Sequence, residues 1–388
     1  MAKEPVAKLL EIILNSLDIP ESYYQRAADR HRSLGEWLCR PESEVAVFEP
    51  HITPQGSFRY GTVVRPITAD GEYDLDNVVT LNLSKIAMTQ RQLKTLFGAE
   101  IHGYAQAHQM PSPVEEMKRC WRLHYADEVS FHLDSLPCVA EEQRVIAAIT
   151  AHEVPYELAK RAVAITDKRH PRYEVISPDW LSSNPRGFAR WFEDRTRSYA
   201  LPQLNRLVEL RLYSSVEEIP AYKWKTPLQR SIQLLKRHRD VMFRENPELA
   251  PISMIITNLA THAYNGESDI FEAVMGILDR VPTYIRPSRP RVPNPADPAE
   301  DYADKWTKDP RLEENFRSWH LQATADFARL RTILLEDRLP ASVRNIFKVD
   351  LTRDQWREFQ PDLSANRALA YVAPAVAIAS APRPWGNR

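Results

Sequence analysis

The chain has 388 residues, with 51 Lys and Arg against 52 Asp and Glu, and only 10 glycines beside 30 prolines. Its 43% hydrophobic and 27% charged residues make a globular composition and exclude intrinsic disorder, while the near-balanced charge argues against a general nucleic-acid-coating role and leaves room for a local basic cleft. No apolar run approaches the ~18 residues of a membrane span, and Cys39, Cys120 and Cys138 form no CxxC pair, which excludes a disulfide framework or zinc ribbon.

Val6, Leu9, Leu10, Ile13 and Leu17 recur at helical spacing until Pro20, so the chain opens with one helix. A second is expected from Glu21 to about Leu38. Acidic residues interrupt the opening apolar pattern and no small-residue cleavage site follows, which argues against a signal peptide. From Glu44 to about Val139 the period shifts toward two. EVAVFEP, EYDLDNVVTLNL, KRCWRLHYA and EVSFHLDSLPCV read as strands, with a helix from Thr89 to Gln109 between them. Past about Ser177 the period is helical again, with helices expected over 187–199, 203–213, 226–244, 251–264, 268–280 and 311–336. The Pro-rich stretch 282–298 reads as a long connection, and the Ala- and Pro-rich end from about Tyr371 as a mobile tail. No internal repeat is present.

The chemical signal is densest from Gln55 to Asp76, QGSFRYGTVVRPITADGEYDLD. A chain this long would carry roughly 27 glycines at average usage, so the grouping of Gly56, Gly61 and Gly71 here is informative. Asp74 and Asp76, two apart in a strand pattern, point their carboxylates to one face. Like charges held together need a proton or a counter-charge, which magnesium supplies to oxygen ligands. Asp134, in FHLDSLP, adds a third carboxylate on another strand, and three such groups hold two metal ions. Upstream, Gly56 lets the backbone approach a phosphate, the Ser57 hydroxyl can donate to it, and Arg59 and Arg65 add positive charge. The block reads as phosphoryl chemistry on a nucleoside triphosphate.

Each part also has a plainer reading. Asp74 and Asp76 could be a solvated strand pair, Asp134 a carboxylate satisfied by an arginine, and Ser57 a helix cap. The KRHRD run at 236–240 reads by default as a solvated helix face. Lys236, however, borders the apolar stripe of Leu228, Ile232 and Leu235 and so could reach a cleft. Glu72 shares a strand face with Asp74, as a polar neighbour or as a solvated strand start. The histidines show no ligand spacing and read as scattered surface or core residues. Cys138 and the aromatic residues Trp180, Trp191 and Phe192 read as core.

GSFRYGT followed by EYDLD and HLD resembles the polymerase-β-type nucleotidyltransferase superfamily. Within it, QGSFRYGT with EYDLD is similar to the bacterial CD-NTases, the cGAS- and DncV-like enzymes of anti-phage CBASS signalling. PLQRSIQLLKRHRD, PISMIITNLA and NPADPAEDYADKW extend the resemblance toward the oligoadenylate-synthetase-like branches, over about residues 1–335.

The resemblance implies an α+β, bilobal fold. A nucleotidyltransferase core would span 1–175 and a helical domain completing the cleft 176–360, with 361–388 a mobile tail. It implies a cytoplasmic enzyme using two Mg2+ ions, or Mn2+, to join nucleoside triphosphates, ATP among them. The product would be a cyclic di- or trinucleotide that activates a downstream effector. Asp74 and Asp76 match the metal ligands, and Asp134 the third carboxylate, which binds metal and helps deprotonate the acceptor hydroxyl. Gln55, Gly56, Ser57 and Arg59 match the donor-nucleotide loop. Lys236 and Ser253 match positions that hold donor phosphates from the helical side. The tail could serve a regulatory partner; neither a membrane nor an extended nucleic-acid surface is expected. The alternatives are a template-independent enzyme adding nucleotides to RNA or protein, and a catalytically silent nucleotide sensor.

Overall fold

The computed structural model describes residues 3–68, 71–126, 130–198, 215–220, 224–333 and 339–355. The opening apolar spacing forms α1 (Lys3–Leu17), and α2 (Glu21–Cys39) follows Pro20. Strand β1 (His51–Gln55), helix α3 (Gly56–Tyr60) and strand β2 (Tyr73–Leu81) carry the glycine-rich block. Helix α4 (Gln90–Ala107), opened by a reciprocal Thr89–Gln92 capping box, leads to β3 (Glu115–Glu116), β4 (Trp121–Ala126) and β5 (Ser130–Ala140). Next come α5 (Gln143–Ala151), α6 (Tyr156–Ala159), β6 (Val163–Ile165), β7 (Leu181–Ser183) and α7 (Pro185–Ser198). The remainder comprises α8 (Pro227–Met242), α9 (Ser253–Ala263), α10 (Ile270–Arg280), the ribbon β8 (Pro293–Asn294) and β9 (Asp297–Asp301), α11 (Arg311–Ile333) and α12 (Leu339–Phe347). The helix expected over 203–213, positions 334–336 and the tail 361–388 lie outside the described residues.

Alternation along β2 and β5 splits the sheet into two chemically different faces. Tyr73, Leu75, Val79, Phe131, Leu133 and Val139 are buried with Leu34 and Leu38 of α2 and Leu93, Phe97 and Ile101 of α4. Asp74, Asp76, His132 and Asp134 occupy the alternate positions and so face the other way. Among the described residues the sheet has seven strands, ordered β1-β2-β5-β4-β3, with β6 pairing to β5 and β7 to β6. The neighbours β2 and β5 run parallel, whereas β1 is antiparallel to β2 and β4 to β5. This is the mixed, helix-backed sheet of an α+β fold. The segment EVAVFEP does not form the expected strand: Ala46–Phe48 is a 3-10 turn, and the strand starts later, at His51. Val47 is exposed there, so alternation misled, whereas edge strand β1 tolerates Pro54.

Helix α8 organises the helical part, packing against α1, α9, α10, α11 and α12. Leu228, Ile232, Leu234 and Leu235 are buried, as the stripe requires. The expected solvated face is not there: Lys236, Arg237, His238 and Arg239 are buried too. Their polar ends serve backbone groups. Gln229 Nε2 donates to the Tyr60 carbonyl at 2.8 Å, Gln233 Nε2 to Val63 at 2.7 Å and Lys236 Nζ to Thr62 at 3.0 Å, and Arg237 donates to the Arg65 carbonyl. Residues 229, 233, 236 and 237 share one helix face, so α8 satisfies the carbonyls of the segment that follows α3, groups that burial would otherwise leave unpaired.

The chain forms two compact units, Met1–Asp350 and Leu351–Arg388. The second is described over 351–355, where Gln355 N donates to Thr352 Oγ1 at 3.2 Å and Thr352 N to Gln355 Oε1 at 2.9 Å. No helix among the described residues is long and apolar enough to cross a membrane.

Candidate active site

Strand register brings the three aspartates together. Asp76 of β2 stands opposite Asp134 of β5, with Asp74 opposite His132 one row along. On the far side of β5, Arg122 of β4 stands opposite Asp134 and grips it with a fork, Nε to Oδ1 at 2.6 Å and Nη2 to Oδ2 at 2.8 Å. Asp134 therefore has the arginine partner that its plainer reading anticipates, and it also lines the cleft. That partner holds the guanidinium firmly charged.

The other two carboxylates lack such a partner among the hydrogen bonds described. Burial, followed by the charges of Asp74 and Asp134, pushes the Asp76 carboxyl up to about 8. Asp74 is accessible within the cleft; crowding by protein, outweighing the nearby His132, pushes its pKa up as well. Such a site calls for positive charge. Their hard oxygen donors fit a magnesium ion, whose charge would offset the repulsion.

The loop before β2 approaches this row closely. Gln55, the last residue of β1, pairs with Asp76, and the next residue, Gly56, has φ +70. A Cβ on Gly56 would collide with Asp76 Oδ2. The position thus demands glycine twice over, for its left-handed backbone and for the space the carboxylate occupies. Gly61 closes α3 with φ +66 and donates its N–H to the Ser57 carbonyl, a left-handed helix cap.

One cavity of about 480 Å³ collects Gln55, Gly56, Ser57, Asp74, Asp76, Asp134, Lys236 and Ser253. Burial, then the nearby Arg239, pulls the Lys236 amine down to about 8. Ser253 opens α9, and its Oγ accepts from Arg239 Nη2 at 3.2 Å. Arg59 does not join them. It is buried and pairs with Glu193 of α7 at 2.5 Å, so it braces α3 from behind.

Sequence reasoning missed several residues of the cleft. Glu300 and Tyr302 line it from the β9 side. Glu300 accepts from Ser183 Oγ and Asn294 Nδ2, both at 2.7 Å, and burial raises its pKa. Cys120 also lines the cleft, its thiol pushed up to about 12 by burial and then by Asp134. No local pattern marks Cys120, and Glu300 and Tyr302 lie within NPADPAEDYADKW, which carries part of the resemblance but does not single them out; Arg122 had a signal in the hairpin spacing to Asp134. Cys138, Trp180 and Phe192 are buried as core, and Trp191 packs, partly buried, against the cluster of Ile146, Ile149 and Leu158.

The family model for the nucleotidyltransferase domain of DncV-like cyclic GMP-AMP synthases matches residues 50–137, the span holding Gln55 through Asp134. A c-di-GMP synthase from Roseivirga ehrenbergii is 31% identical over 322 residues, covering 82% of this chain and 77% of the relative. The cyclic dinucleotide synthase CdnG of Bradyrhizobium diazoefficiens is 25% identical over 352 residues, covering 85% and 77%. The solved structure of that CdnG with GTP is similar in fold, with a TM-score of 0.65 at 21% identity, covering 92% of this chain and 97% of that one. Vibrio cholerae DncV, solved with a linear pppApG intermediate, has a TM-score of 0.54 at 14% identity, covering 92% and 88%.

Proposed function

The chain belongs to the bacterial CD-NTase family of nucleotidyltransferases, and on that premise we propose that it condenses two nucleoside triphosphates into a cyclic dinucleotide with release of pyrophosphate. The observation that carries this reading is the register that sets Asp76 opposite Asp134, with Asp74 on the same face, in one cavity with Ser57, Lys236 and Ser253. Magnesium at Asp74 and Asp76 would neutralise the triphosphate and polarise the donor α-phosphate.

The protein's own groups do the rest. Ser57, Lys236 and Ser253 hold the donor phosphates. Lys236 already lines the cavity, and its amine, which gives one hydrogen to the Thr62 carbonyl, keeps two more to donate. Asp134, oriented by the Arg122 fork, takes the proton of the acceptor hydroxyl. The hydroxyl oxygen bonds to the donor α-phosphorus as the α–β anhydride bond breaks, and pyrophosphate leaves with the bonding pair. A second round on the linear product closes the ring.

The product of the Roseivirga relative and the GTP bound to CdnG support GTP as a substrate; ATP is the candidate for the second position. The cyclic product would activate an effector in anti-phage defence within the cytoplasm, as the CD-NTase family suggests. Incubation with all four triphosphates and magnesium, followed by mass spectrometry, tests the reading. A phosphatase-resistant cyclic dinucleotide containing guanine is expected. Extension of added RNA, or no triphosphate consumed, would sink it.

A further inference from the structure

The aspartates are not the tightest group of metal-ligand atoms in the protein. Among the described residues, the side chains whose His, Cys, Asp or Glu ligand atoms lie within 4.8 Å of one another are Glu72, His124 and His132. The register explains the meeting. His124 of β4 stands opposite His132 of β5, and His132 stands opposite Asp74 of β2, with Glu72 two residues before Asp74. The imidazole rings meet edge to face, 4.6 Å between centroids. A Glu72 carboxylate oxygen lies against His132 Nε2, and Glu115 Oε1 is 3.3 Å from His124 Nε2. Both of these ring nitrogens are buried and neither makes a hydrogen bond.

We propose that Glu72, His124 and His132 form a binding site for a first-row transition-metal ion of the zinc class, distinct from the aspartate row. Two imidazole nitrogens and one carboxylate oxygen are the donor set of zinc and its neighbours, whereas magnesium prefers oxygen alone. Bonds of about 2.0–2.2 Å in a tetrahedral site need ligand atoms roughly 3.3–3.6 Å apart; the three groups already lie within 4.8 Å of one another, and side-chain rotation that draws in the His124 ring while the Glu72 oxygen backs away from His132 spaces them for an ion. His132 Nδ1 lies 3.8 Å from Asp74 Oδ1. With Nε2 on the metal, Nδ1–H would turn toward Asp74, the carboxylate–histidine–metal arrangement that orients a ligand ring. The ion would therefore restrain one of the catalytic aspartates and place positive charge beside it. Zinc loading is expected to raise the magnesium concentration needed for turnover.

The test uses the full chain with zinc as probe, magnesium being present in excess throughout. Dialysis against zinc followed by elemental analysis should find one tightly held zinc per wild-type chain. His124→Gln should weaken zinc binding at least tenfold, and Glu72→Gln, at an exposed side chain, should do the same without endangering folding. Asp76→Asn should retain the zinc. Zinc binding unchanged in both His124→Gln and Glu72→Gln, or zinc lost from Asp76→Asn alone, would overturn the site.

Discussion

Asp76 and Gly56 show how much one contact decides. The carboxylate occupies the space a side chain on Gly56 would need, so the loop and the aspartate come as a pair. Gly56→Ala should destabilise the fold by about 1–2 kcal/mol from the left-handed backbone alone, read by urea denaturation, and should depress turnover further because Asp76 must move. Asp76→Asn should lower turnover by about a thousandfold, the scale of losing one preorganised electrostatic group, while leaving the protein folded. Its pKa also sets a pH dependence. An unfolded aspartate ionises near 3.8, whereas folded Asp76 holds its proton up to about 8. Between those values the native state binds the extra proton, so its contribution to stability falls as pH rises through the window. Thermal melts of metal-free protein should show that decline between pH 5 and 8, and Asp76→Asn should lessen it. A melt that rises with pH equally in both proteins would refute the assignment. At this scale the sequence was informative. Asp74, Asp76, Asp134, Gln55, Gly56, Ser57, Lys236 and Ser253 all line one cavity. Arg59 does not, because its position on α3 turns it toward Glu193.

Helix α8 carries the lesson of the elements. Its start was readable from Thr226-Pro227 with Gln229, which form a capping box in the structure. Its apolar stripe was readable as well. Its polar face was not, since a run such as KRHRD is solvated on most helices. Here that face is buried because the carbonyls from Tyr60 to Arg65 lie beneath it and take up its donors. Gln233→Leu would leave the Val63 carbonyl without its donor at a cost of about 1–3 kcal/mol. Chemical denaturation should register that loss, and the Michaelis constant for the triphosphate should rise as the loop after Ser57 loosens. An unchanged Michaelis constant would show that α8 does not steady the loop. The histidines follow the same logic. His124 and His132 have no ligand spacing along the chain, yet hairpin register sets them opposite one another.

At the scale of the molecule, the first helix belongs with the later ones. Helix α1 packs on α8 and α10, and Asp18 just after it accepts from Arg230 Nη1 at 2.6 Å and Gln233 Nε2 at 3.0 Å. His31 of α2 bridges the Asn77 side chain and the Glu217 carbonyl. The sheet region thus relies on partners from beyond residue 175. A fragment ending there should expose the apolar face of α1 and the carbonyls that α8 covers. Near-ultraviolet circular dichroism and limited proteolysis should find it loosely packed; a protease-resistant, cooperatively melting fragment would contradict this dependence.

The sequence by itself determined which acidic groups share a strand face. Strand alternation puts Asp74 and Asp76 on one face whatever the rest of the chain does, and the scarcity of glycine marks the bend beside them. Most helices and the central strands follow from local periodicity, which needs no knowledge of distant partners. The tertiary structure decided which groups meet: Arg122 with Asp134, the α8 donors with the loop carbonyls, and Glu72 with two histidines. Those meetings depend on strand register and helix docking between segments far apart in the chain, and local spacing carries no trace of either.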